Sequence, residues 1–134
     1  MAFKFEKLEV WQRALDYHDT IDSLLRALPA HERFNLADQL RRAGTSIALN
    51  IAEGSTGQTD AEQARFLSYA QRSLVETVAC LHLIHRRDYV DPTDLRAAYR
   101  EAETLFRQLA AFRRSLGSSA VREDAATYDA PPPF

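Results

Sequence analysis

The sequence predicts an all-α fold, an up-down-up-down four-helix bundle in a single domain. Three observations carry this expectation. Apolar residues recur at steps of three and four over most of the chain. Gly and Pro are few and mostly fall near the ends of the periodic stretches, and no stretch alternates apolar and polar residues as a strand would. With 134 residues, 46% of them hydrophobic and 27% charged, the chain has the composition of one globular domain with its own core.

The first helix is expected over about residues 6–28, where Leu8, Trp11, Leu15, Ile21, Leu25 and Leu28 form a stripe widened by Val10, Ala14, Tyr17 and Leu24; Pro29 ends it. The second, about 31–56, carries Leu36, Leu40, Ala43, Ile47, Ile51 and Gly54 on one seam. Ala43, Gly44, Thr45, Ser46, Ala48 and Ala52 line it with small side chains, which lets a neighbouring helix come close.

The third helix, about 59–88, opens on Thr59 and Glu62, spaced as a capping box, and continues through Phe66, Leu67, Ala70, Leu74, Val78, Leu81 and Ile84. The fourth, about 92–116, starts with Asp91 as cap and Pro92 at the first helical position, where a missing N–H costs nothing. Leu95, Ala98, Ala102, Leu105, Leu109, Phe112 and Leu116 hold its seam, and Gly117 reads as the C-terminal cap. Residues 1–117 thus form the bundle. Residues 118–134 lack periodicity, include Pro131–Pro133, and read as a flexible tail whose Tyr128 and Phe134 are candidates for docking on a partner.

Composition also excludes function classes. The formal net charge of −2 argues against a protein that is basic all over. No run of about 18 apolar residues is present, and the N-terminal stretch lacks a secretory pattern, so a cytoplasmic location without membrane association is expected. Cys80 stands alone among apolar neighbours and reads as a packed core thiol, which rules out an intrachain disulfide and a thiolate zinc cluster. No Gly-rich phosphate loop, nucleophile elbow or paired-cysteine motif appears.

Several blocks resemble a known family. Phe5-x-x-Leu8-x-Val10-Trp11, Leu28-Pro29-x-x-Glu32-x-Phe34-x-Leu36, Gln39-Leu40-Arg41-Arg42-Ala43, Ser46-Ile47-x-x-Asn50-Ile51-Ala52-Glu53-Gly54 and Arg65-Phe66-Leu67-x-x-Ala70-x-x-Ser73-Leu74-x-Glu76 are similar to the four-helix bundle family first described from intervening sequences in 23S ribosomal RNA genes. The resemblance covers about residues 3–80, and Asn-Ile-Ala-Glu-Gly after Arg-Arg-Ala is its most specific part. It implies a small helical bundle assembling into a ring-like homo-oligomer, a pentamer by resemblance. One branch, the accessory proteins of diversity-generating retroelements, binds nucleic acid and a reverse transcriptase through a basic surface. The resemblance supplies a fold more than an activity.

Trp11, Ile47, Ile51, Phe66 and Leu74 are expected in the core. Asn50 shares a helix side with Ala43, Ile47 and Gly54, so its amide is expected to face other helices and fix their register. Ser73, a helix-end backbone group or the Trp11 indole are its candidate partners. Glu53 and Glu76, with Arg41 and Arg42, are expected to cross-brace helices by ion pairs. The sharper alternative is a Glu53–Glu76 carboxylate pair for acid–base or metal chemistry. No Glu-x-x-His occurs to complete such a site, so no catalytic residue, metal ligand or cofactor is assigned. His82 and His85 read as solvated or interface residues, and His18 and His31 as incidental.

The basic residues are informative by arrangement. Arg96, Arg100, Arg107 and Arg114 share one stripe of the fourth helix, Arg113 stands beside it, and Arg86 and Arg87 mark the preceding corner. Asp16, Asp19 and Asp22 make the first helix acidic. These seven arginines are the candidate contacts to RNA or DNA phosphates. Alternatively, the basic fourth helix of one subunit meets the acidic first helix of the next, making a protein-assembly scaffold without nucleic acid. The expectation is a non-enzymatic, homo-oligomeric helical-bundle accessory protein.

Overall fold

In the computed structural model, which describes residues 2–57, 59–117 and 130–134, four helices run α1 Glu9–Ala27, α2 Leu36–Gly54, α3 Asp60–Arg86 and α4 Pro92–Leu116. Each packs on its neighbour in sequence, and α1 closes the bundle against α4. No strand occurs among the described residues. The expected bundle is therefore present.

The first two helices are shorter than their periodicity suggests. Leu8 is extended (ψ 132°), so α1 starts at Glu9, and Lys4–Lys7 ahead of it forms a 3₁₀ turn in which the Glu6 carboxylate accepts the Phe3 N–H at 2.9 Å. At the other end Pro29 forces Leu28 into an extended conformation (ψ 143°). A second 3₁₀ turn, Ala30–Glu32, follows, and Asn35 at φ −123°, ψ −97° delays α2 to Leu36.

The caps of α3 and α4 follow the sequence closely. Thr59 Oγ1 accepts the Glu62 N–H at 3.1 Å, Asp91 Oδ1 accepts the Thr93 N–H at 2.8 Å, and Pro92 opens α4. The exit of α3 was not legible. There the Asp88 N–H donates to His85 O at 3.1 Å and the Tyr89 N–H to Ile84 O at 3.2 Å, with Asp88 at φ 55°. That is a Schellman exit with Asp where Gly is usual. Gly117, expected to cap α4, is extended at φ 165° and ψ 155°; α4 ends there without a left-handed residue.

The core draws on all four helices. Tyr17, Ile21, Leu40, Ile47, Ile51, Leu67, Leu74, Leu81, Ile84, Leu95, Leu105 and Leu109 are fully buried. Ile47, Ile51 and Leu74 sit where expected, but Trp11 and Phe66 lie at the margin. Trp11 packs edge-on to Phe5 of the 3₁₀ turn at 4.6 Å, and Phe66 to Tyr69 at 5.6 Å. Phe66 is displaced because it passes over the end of α2: a Cβ at Gly54 would stand 2.8 Å from Phe66 Cβ. Gly54 is thus a point of close approach of α2 and α3, where a side chain would collide with Phe66.

Of the segment read as a tail, residues 118–129 lie outside the described residues. Ala130–Phe134 return to the bundle, where Phe134 packs on α3 and α4.

Candidate functional site

Helix α4 carries the basic stripe because its opposite face is committed to the core. Leu95, Ala98, Ala102, Leu105 and Leu109 are buried, which turns Arg100, Arg107 and Arg114 outward. Arg107 lies 3.9 Å from Glu103 on its own helix, an exposed pairing of small energetic weight. Arg86 and Arg87 are exposed at the end of α3. Arg96 is half-buried: its guanidinium donates to Phe134 O at 3.1 Å and to Thr93 Oγ1 at 3.2 Å.

Arg113 departs from the expectation. It is 6% exposed and donates to Gln71 Oε1 at 2.6 Å, so it joins α4 to α3 and does not belong to the surface stripe. The signal was available in the spacing: Arg113 stands four residues after Leu109, on the core seam.

The acidic residues lie on the adjacent helix, α1. Asp16 and Asp19 are exposed on α1, and Asp22 pairs with Arg26 at 2.8 Å. Thr20 Oγ1 lies 2.8 and 3.0 Å from the two carboxylate oxygens of Glu101, which ties α1 to α4. Burial pushes the Glu101 carboxyl above the usual range, opposed by the Thr20 hydrogen bond.

The polar residues of the matching blocks separate into two groups. Asn50 Nδ2 donates to Ser46 O at 2.8 Å and to Ser46 Oγ at 3.0 Å, and Ser73 Oγ donates to the same Ser46 Oγ at 2.9 Å. Asn50 therefore bonds back within α2, and it is Ser46, through Ser73, that joins α3; none of the partners expected for the Asn50 amide bonds it directly. The charged cross-brace does not form. Arg41 and Arg42 turn back along α2 to Asp38, at 3.8 and 3.5 Å. Glu53 cannot reach Arg42 on the same helix, since eleven residues at 1.5 Å each span about 16 Å.

The same geometry separates Glu53 from Glu76. Glu76 shares a hollow with Gln39, Arg42, Ala43, Ser46 and Ser73, whereas Glu53 adjoins Gly54 at the far end of α2, about 15 Å further along the axis. The carboxylate-pair alternative is thereby overturned. Among the described residues, no three His, Cys, Asp or Glu side chains come together as a metal cage would require.

A groove runs along the α2–α3 seam as two adjoining hollows of ≈ 480 and ≈ 370 Å³ that share Gln39 and Glu76. Its deeper part is walled by Glu32, Leu36, Cys80, Leu83 and Arg87. Cys80 is buried, and burial pushes its thiol up to about 11. Exposed apolar side chains flank the bundle, including Phe34 at 87%, Leu49 at 55% and Leu83 at 54%.

Sequence reasoning missed the corner beside this groove. Tyr89 Oη donates to Glu32 Oε2 at 2.8 Å, His31 Nε2 meets Tyr89 Oη at 3.0 Å, and Asn35 Nδ2 donates to Glu32 Oε1 at 3.2 Å. His31 is thus a member of a network, and residues so far apart in the chain carry no local signal of it. The Tyr89 hydrogen bond holds the Glu32 carboxyl below its ordinary value, and the same bond raises the Tyr89 phenol. No helix among the described residues is long and apolar enough to cross a membrane.

These features define a helical bundle with a polar-bridged α2–α3 pair and one arginine-rich helix face. Residues 6–111 match the family model described as 23S rRNA-intervening sequence protein, and the chain belongs to that family. A solved structure with the same fold comes from Bacteroides thetaiotaomicron, described as a protein with unknown function from the S23 ribosomal protein family. It is 24% identical with a TM-score of 0.73, over 78% of this chain and 98% of that one. No curated protein matches the chain.

Proposed function

We propose that this protein is a non-enzymatic, homo-oligomeric accessory protein that holds RNA or DNA by its phosphates. The observation that carries this reading is the outward face of α4, where Arg100, Arg107 and Arg114 are exposed on one stripe with Arg86 and Arg87 at the adjoining corner. Arginine suits the role, because its planar fork grips phosphate oxygens in pairs and it stays charged at any physiological pH. A ring of subunits, pentameric by resemblance to the family, would repeat this face and multiply a weak single contact.

Titration of labelled single-stranded RNA and duplex DNA at two salt concentrations tests the reading. Affinity should fall steeply with salt, and Arg100→Gln with Arg107→Gln should weaken binding and flatten the salt slope by about one unit per lost contact. Absence of binding at low salt would refute it.

A second reading, a protein-assembly scaffold without nucleic acid, is favoured by the exposed apolar residues Phe34, Leu49 and Leu83. The nucleic-acid titration separates the two, and light scattering tests the apolar contacts of the second. The scaffold reading expects Leu49→Asp or Leu83→Asp to lower the oligomer mass, with the α4 arginine variants leaving nucleic-acid binding at background throughout.

A further inference from the structure

Phe134 does not simply touch the bundle; it fills a notch. Its ring lies 5.1 Å from the His82 ring, 5.0 Å from His85 and 5.8 Å from Tyr99, so three aromatic side chains of α3 and α4 pack against it. Arg96 of α4 adds a polar contact by donating to Phe134 O at 3.1 Å. Edge-on and tilted ring contacts at these distances are the favoured geometries for aromatic pairs, each adding to the area buried. The three prolines before it stiffen the segment, so little chain entropy opposes seating.

We propose that His82, His85, Arg96 and Tyr99 form a recognition site for a proline-rich segment bearing a phenylalanine, occupied by the chain's own Pro131–Phe134, and that this occupancy withdraws Arg96 from the phosphate-binding stripe. The ring supplies the anchor and the main-chain oxygen the orientation. Arg96 is half-buried and held by this segment, while Arg100 one turn on is exposed. The second half of the proposal rests on the nucleic-acid reading above; the first half does not.

Full-length wild type and Phe134→Ala, both folded by circular dichroism, provide the test. A fluorescent peptide of residues 129–134 should bind Phe134→Ala and bind wild type at least tenfold more weakly, because a tethered ligand acts at an effective concentration of about millimolar. Adding His82→Ala or Tyr99→Ala to Phe134→Ala should abolish peptide binding. His82 is exposed, so its truncation keeps the test valid if the Tyr99 variant fails to fold. Equal binding to both chains, or none to Phe134→Ala up to millimolar peptide, overturns the site.

For the withdrawal of Arg96, Phe134→Ala should bind a single-stranded oligonucleotide severalfold more tightly than wild type, and Arg96→Gln should erase that gain. Equal oligonucleotide affinity in wild type and Phe134→Ala overturns the withdrawal. If neither chain binds oligonucleotide while the peptide results hold, the nucleic-acid reading fails and the recognition site stands.

Discussion

Tyr17 Oη lies 2.8 Å from Thr77 Oγ1 in the closed interior between α1 and α3. Thr77 spends its own proton on Leu74 O at 2.6 Å, so Tyr17 is the donor. Burial accordingly pushes the Tyr17 phenol above its ordinary value, with the Thr77 hydrogen bond opposing.

This assignment predicts an asymmetric pair of substitutions. Thr77→Val strands a buried hydroxyl donor and should cost about 1–3 kcal/mol, whereas Tyr17→Phe leaves only an acceptor unfilled and should cost about 1 kcal/mol. The double variant should cost less than the sum, since neither orphan remains. Urea unfolding of the four chains measures the cycle, and strict additivity would show that the hydroxyls do not cooperate.

Two glycines of α2 should respond differently to the same methyl group. At Gly54 the added Cβ meets Phe66 Cβ at 2.8 Å, an atom fixed to the α3 backbone; at Gly44 it meets Ile21 Cδ1 at the same distance, the free end of a side chain. Gly54→Ala should therefore destabilise by about 1–3 kcal/mol, while Gly44→Ala should be milder, with the helix propensity of alanine offsetting the repacking of Ile21. Equal losses in thermal unfolding would refute the claim that a side chain at Gly54 collides with Phe66.

The corner network should give the protein a distinct pH response. Glu32 titrates below its ordinary value in the folded chain, chiefly because Tyr89 donates to it, so its contribution is present above the unfolded carboxyl value of about 4.3 and is lost as pH falls through the folded one. Tyr89 titrates above its ordinary value, so its contribution is present below an unfolded value of about 10 and is lost as pH rises through the folded one. Urea midpoints followed across both windows should flatten on both sides in Glu32→Gln and in Tyr89→Phe, because the one bond shifts both groups.

Asp88 occupies the left-handed region at φ 55° to end α3. Glycine takes that conformation without the Cβ penalty, so Asp88→Gly should raise stability by up to about 1 kcal/mol. A loss of stability on substitution would mean that the Asp88 side chain contributes a contact of its own.

Residues that act within one or two helical turns were readable, and those that act between helices were not. The seams of α3 and α4, the Thr59 and Asp91 caps and the small lining of α2 follow from spacing alone. The late start of α2 was missed because its helical spacing was read back across the 3₁₀ turn Ala30–Glu32 and across Asn35, whose backbone is not helical. Arg41 and Arg42 were expected to bridge helices, but Asp38 lies one turn away on the same face and captures both. Of the basic set, Arg100, Arg107 and Arg114 face outward as expected. Arg113 does not, because the seam position overrode its charge. The Tyr89–Glu32 contact and the Phe134 notch join segments that only the turns and the return of the chain bring together.

Cys80 offers a use that its inertness creates. Buried at the floor of the α2–α3 groove, with its proton held to about 11, it cannot react with an alkylating reagent while the helices stay closed. Its rate of modification in the native protein is therefore a stopwatch on the parting of α2 from α3, read from the single sulfur the chain already carries at that seam. A fluorophore on a cysteine introduced at an exposed position would meanwhile report from that position alone.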